Sequence, residues 1–96
     1  MTQALMIIDV QNAILSGSGT AERQGAIDKA LDALCRRLGT LKQAARIAGI
    51  PVILIQHDGS EKHRLAVGSK GWDLRPEIAA GEGDVVVHKQ ACDSFF

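Results

Sequence analysis

The sequence lacks the marks of several large protein classes. It has two cysteines, Cys35 and Cys92, which make neither a disulfide framework nor a zinc pattern. It has no surplus of charge: 11 Lys and Arg balance 11 Asp and Glu across 96 residues. Nucleic-acid binding is not expected, because phosphate neutralisation needs a basic surplus or stripe. No apolar run approaches the roughly 20 residues of a membrane span. Met1-Thr2-Gln3-Ala4 has no basic segment of the kind that opens a secretory leader. A cytoplasmic protein without membrane contact is the expectation. The sequence also lacks internal repeats, low-complexity tracts and a phosphate-cradling G-x-x-x-x-G-K pattern. What remains is ordinary for a soluble globular domain, with 46% hydrophobic and 23% charged residues. The length allows one small domain, residues 1–96.

Three short apolar runs stand out. They are Ala4-Leu5-Met6-Ile7-Ile8, Val52-Ile53-Leu54-Ile55 and Val85-Val86-Val87. Each is continuous rather than alternating, as a parallel strand buried on both faces reads. They predict parallel strands near residues 4–9, 52–56 and 84–88. Between the first two, Ile27, Leu31, Leu34, Leu38, Leu41, Ala45 and Ala48 recur at spacings of four and three, placing them on one helix face. Thr20 is the expected N-cap, with Glu22 in the first turn. Gly49 and Pro51 close the helix, and Gly39 inside it is expected to mark a bend. Strand, helix and strand make a βαβ unit. From Asp58 to Asp84 the chain is polar and glycine-rich, with Arg75-Pro76-Glu77-Ile78 as a turn or one short helical turn. A loop of that length is usually functional or carries short elements of its own.

Strands buried on both faces need helices on both faces. One long helix covers one face, so an apolar face is left over. Asp93 or Ser94 reads as the N-cap of a second helix beginning at Phe95-Phe96. The chain is therefore expected to be the N-terminal half of a larger α/β domain. A small domain covered by a partner or a swapped copy is the alternative.

Ligands of open parallel sheets bind beyond the carboxyl ends of the strands. The residues there are Asp9, Gln56-His57-Asp58 and Lys89. A carboxylate and an ammonium at neighbouring strand ends favour each other's charged forms. Such a pair can take a proton from a nucleophile and steady the resulting anion. A structural ion pair, or two solvated strand ends, is the other reading of the same positions.

Met6-Ile7-Ile8-Asp9-Val10-Gln11-Asn12 resembles the opening strand of the isochorismatase-like cysteine hydrolases, a family that includes nicotinamidases, carbamoylsarcosine amidases and isochorismatases. Ala45-Arg46 with Gly49-Ile50-Pro51-Val52-Ile53 resembles that family's helix-to-strand junction, and Ile55-Gln56-His57 the end of its second strand. Gly68-Ser69-Lys70-Gly71-Trp72-Asp73-Leu74, with Pro76-Glu77, resembles its Gly-Trp loop. Gly83-Asp84-Val85-Val86-Val87-His88-Lys89, with Asp93-Ser94-Phe95, resembles its third strand and lysine segment. The likeness covers essentially the whole chain, in order.

The resemblance implies a three-layer α/β/α fold with a mainly parallel, six-stranded sheet, of which this chain supplies about half. It implies an Asp-Lys-Cys triad, with Asp9 and Lys89 matching the first two catalytic residues. The nucleophilic cysteine lies after a fourth strand, outside this chain; Cys92 does not match it, and Cys35 reads as a helix packing residue. The implied activity is hydrolysis of a small amide or related compound by a homo-oligomer, without a cofactor. The isochorismatase branch cleaves a vinyl ether, so the family leaves the reaction open. A catalytically silent, structural family member is the alternative. A receiver-like signalling module is disfavoured, because it needs several acidic residues at the first strand and only Asp9 is there.

Ile14, His57 and Trp72 are the candidate substrate contacts. Trp72 would stack on a planar group, or cover the core edge or a subunit contact. Ile14 stands where relatives often carry an aromatic, which weakens the case for a nicotinamide-like substrate. His57, Asp58 and His63 fall where nicotinamidases bind metal, but His57 replaces the Asp and Gly59 the first His, so no metal site is expected. His88 points away from Lys89 by strand alternation.

Overall fold

The computed structural model describes residues 3–15 and 19–90. Ser16, Gly17, Ser18, Cys92, and the helix expected from Asp93 or Ser94 lie outside the described residues. Among the described residues the elements are strand β1 (Leu5–Ile8), helix α1 (Ala21–Ile47), strand β2 (Val52–His57), a 3-10 turn (Pro76–Ile78) and strand β3 (Val85–Lys89). All three strands pair in parallel, in the order β1-β2-β3. Ile8 aligns with Ile55 and Val87, and His57 with Lys89. Every apolar run became a strand within about one residue of its expected place.

Helix α1 is set by its ends. The Thr20 hydroxyl accepts the Arg23 N–H at 3.1 Å, satisfying one orphan donor. At the other end Gly49 takes φ 72°. Its N–H bonds the Arg46 carbonyl, and the Ile50 N–H bonds the Ala45 carbonyl at 2.8 Å. That is a Schellman closure, which needs a left-handed residue that only glycine adopts without cost. Pro51 then starts the extended run.

Two details differ from the sequence reading. The helix runs unbroken through Gly39. A Cβ there would lie 2.7 Å from the Glu77 carbonyl oxygen, so this glycine serves close packing of the 3-10 turn rather than a bend. The inward stripe is also displaced. Cys35, Lys42 and Ala45 are buried, whereas Leu34 and Leu41 are 46% and 48% exposed. Both leucines flank apolar grooves beside β1, because the helix turns the Cys35 row toward the sheet and leaves theirs at its side.

The core joins Ile7, Val52 and Leu54 of the sheet to Ala45 of α1 and Ile78 of the 3-10 turn. Lys42 is buried in this layer. Its ammonium reaches Asp84 at 2.6 Å and the Ala79 carbonyl at 2.8 Å, so the charge is paired and hydrogen-bonded, as burial requires. The other sheet face is open among the described residues, with Met6, Ile8, Val85 and Val87 between 39% and 51% exposed. The long connection after β2 is sewn to the β1 exit: Asn12 N–H bonds Asp73 O, Ala13 N–H bonds Gly71 O, and Arg75 N–H bonds Val10 O, each at 3.0 Å.

Candidate active site

Asp9 follows β1 directly. Its N–H makes the last rung to Ile55 O at 2.9 Å. Its φ of 60° then turns the chain out of the sheet. Aspartate tolerates this left-handed region better than most residues, yet it still costs on the order of 1 kcal/mol or more. Gln11 N–H closes the turn onto Asp9 O at 2.9 Å.

Lys89 is the last residue of β3, two strands away. By alternation it lies on the open face of the sheet, on the same side as its register partner His57. Strands sit about 4.8 Å apart, so the lysine side chain must pass the end of β2 to reach Asp9. It does so: Lys89 Nζ lies 3.0 Å from Asp9 Oδ2. The Lys89 side chain is 3% exposed and that of Asp9 27%. Asp9 Oδ1 is buried, with no hydrogen-bond partner among the described residues. One carboxylate oxygen is thus held by the ammonium, and the other accepts no hydrogen bond from the described residues.

The other expected site residues fall around this pair in different ways. Ile14 lines an apolar pocket of about 250 Å³ together with Asp9, Leu31, Leu34 and Arg75. His57 stands beside Lys89 in the register, and its ring lies 5.9 Å from that of His63. His63 Nδ1 accepts the Leu65 N–H at 3.0 Å. Trp72 stacks on His88 with ring centres 6.0 Å apart and donates Nε1–H to Asp58 Oδ1 at 2.9 Å. His88 Nδ1 lies 2.9 Å from the same oxygen. Because His88 and Lys89 alternate, the Trp72 ring sits on the opposite side of β3 from Lys89.

Two buried glutamines complete the arrangement. Gln11 and Gln56 each donate Nε2–H to the Trp72 carbonyl, at 2.8 and 2.9 Å. Gln11 also donates to His57 O and accepts from His57 N–H, both at 3.0 Å. Its role was not legible in the sequence. The available signal was a polar residue two positions beyond Asp9, inside the strand-end motif.

Residues 3–96 match the Isochorismatase domain family. The chain is 36% identical over 93 residues to a streptothricin hydrolase of Streptomyces noursei, covering 97% of this chain and 31% of that protein. It is 33% identical over 88 residues to the ureidoacrylate amidohydrolase RutB of Methylobacterium radiotolerans, covering 92% of this chain and 29% of that one. Among solved structures, an isochorismatase from Pseudomonas putida matches with a TM-score of 0.73 at 28% identity, over 97% of this chain and 44% of that one. The chain spans about a third of the length of the curated relatives it matches. A strand-end aspartate and lysine on a parallel sheet, with a family match over nearly the whole length, lead to one assignment: the chain belongs to the isochorismatase family.

Proposed function

We propose that this chain forms the Asp-Lys half of a hydrolase active site that acts on a small amide or related compound. The observation that carries the reading is the 3.0 Å contact between Asp9 Oδ2 and Lys89 Nζ at the carboxyl ends of parallel strands. The nucleophile in this reading is a cysteine outside the 96 residues.

Asp9 takes the thiol proton on Oδ1, the oxygen not bound by Lys89, and Lys89 holds the carboxylate ionised and oriented. The thiolate attacks the carbonyl carbon and forms a tetrahedral oxyanion. Collapse breaks the C–N bond, Asp9 returns the proton to the leaving amine, and a thioester remains. Asp9 then draws a proton from water, whose oxygen attacks the thioester and releases the acid and the thiol. Ile14 forms an aliphatic wall beside Asp9, and His57 flanks Lys89. Trp72 contacts only a substrate long enough to pass the end of β3.

The test uses the complete protein with streptothricin, ureidoacrylate and simple primary amides as substrates. Wild-type turnover of at least one is expected, with a fall of about 10²–10⁴-fold in Asp9→Asn. Unchanged turnover in a folded Asp9→Asn protein rejects the general-base role. Absence of hydrolysis across the panel turns the reading toward a structural family member.

A further inference from the structure

We propose that Gln11 is a positioning residue that sets the approach of Asp9 to Lys89 by acting as a surrogate rung of the sheet. The inference rests on the reading of the Asp9–Lys89 pair given above.

The β1–β2 ladder ends with the Asp9 N–H on Ile55 O. Beyond it the chain turns away at Asp9, so no β1 backbone lies opposite His57. The Gln11 carboxamide occupies that place. Its Oε1 accepts the His57 N–H and its Nε2 donates to the His57 carbonyl. Those are the two groups a neighbouring strand would have paired. On its other side His57 is in register with Lys89 of β3. The His57 peptide is therefore held between Gln11 and the residue that bears the ammonium. Gln11 is in turn tied to Asp9 through its own N–H on the Asp9 carbonyl. Asp58, the next residue, donates its N–H to the Lys89 carbonyl at 2.8 Å, and Lys89 Nζ meets Asp9 Oδ2, so Asp9, Gln11, His57, Asp58 and Lys89 form one closed circuit of covalent links, hydrogen bonds and an ion pair.

Gln11 is 1% exposed. A residue needed only to fill this volume would be apolar, since a buried amide is tolerated only when its hydrogen bonds are made. Here the bonds are made, and among the described residues each goes to backbone. The third, to the Trp72 carbonyl, fixes the long connection to the same point. The carboxamide thus locates the strained Asp9 turn relative to β3 in a way that packing of β1 alone, one strand removed, does not.

The experiment compares crystal structures of the complete protein with those of its Gln11→Leu and Gln11→Glu variants. Gln11→Leu keeps the volume and loses every side-chain bond. Gln11→Glu keeps an acceptor for the His57 N–H and loses both donors. The Asp9–Lys89 separation is expected to exceed about 4 Å, the outer limit of an ion pair, in both variants with the sheet register intact. In parallel, kcat is expected to fall about 100-fold with little change in KM, as for a reacting group displaced by about an ångström. A separation that stays within that limit in either folded variant overturns the proposal. So does failure of both variants to fold, which would make Gln11 a folding residue. If the wild-type protein hydrolyses none of the substrates, the functional reading fails, while the measured separation still decides the role of Gln11.

Discussion

Lys89 crosses the end of an intervening strand to meet Asp9, so the two charges are adjacent although their strands are not neighbours. The ammonium is the more buried partner, and its desolvation has to be offset by the carboxylate. Lys89→Met is expected to remove activity in the complete protein while leaving it folded, because the thioether fills the channel past β2 without a charge. Lys89→Ala should also cost about 1–3 kcal/mol of stability, less than a fully buried pair because Asp9 is partly exposed. Chemical denaturation of the two variants, with turnover measured alongside, checks both statements.

Asp84 anchors the opposite end of the sheet to α1. Burial alone would raise its pKa. Hydrogen bonds from Lys42, the Gly81 N–H and Arg46 outweigh that and hold the carboxyl below its ordinary value. A depressed folded pKa contributes stability that is fully present above the unfolded value of about 3.9 and is lost as pH falls through the folded value. Stability of the complete protein should therefore decline below about pH 4. In Asp84→Asn this part of the pH dependence should vanish, with lower stability at neutral pH. Urea midpoints at neutral pH and at pH 3 test this, and equal pH slopes for the two proteins would contradict it.

Two helix glycines should respond in opposite directions to the same substitution. A Cβ on Gly25 meets nothing within 4 Å, whereas one on Gly39 meets the Glu77 carbonyl at 2.7 Å. Gly25→Ala should raise stability by about 0.5–1 kcal/mol through helix propensity. Gly39→Ala should lower it by about 1–3 kcal/mol, as overpacking against backbone exceeds that gain. Thermal melts of the single variants provide the comparison.

The open face of the sheet predicts the behaviour of the 96-residue chain expressed alone. Met6, Ile8, Val85 and Val87 expose apolar surface there. At about 25 cal/mol per Å², a few hundred Å² corresponds to several kcal/mol of unrealised burial. Self-association is expected in sedimentation velocity, and Val87→Lys should reduce it. A stable monomer with a cooperative thermal transition would count against this.

The architecture was legible where a pattern is local. The strands, the Thr20 cap and the Gly49 closure follow from short-range sterics and hydrogen bonding, and each stands where the sequence placed it. No bend forms at Gly39, because what this glycine answers to, the Glu77 carbonyl, is 38 residues away in sequence and outside any local pattern. Leu34 and Leu41 stand at the side of the buried stripe, because periodicity fixes the spacing of a stripe but not its rotation about the helix axis.

Continuous apolar runs followed by charge can be read without a fold, so parallel strands running into Asp9 and Lys89 follow from the local pattern alone. The folded arrangement settled that the two charges meet across β2 and that Trp72 faces the other way beside His88 and Asp58. It also decided that Gln11 takes the place of a missing strand rung. Strand order, the direction of a left-handed turn and the partners of a buried amide depend on residues distant in the chain, and no local pattern encodes them.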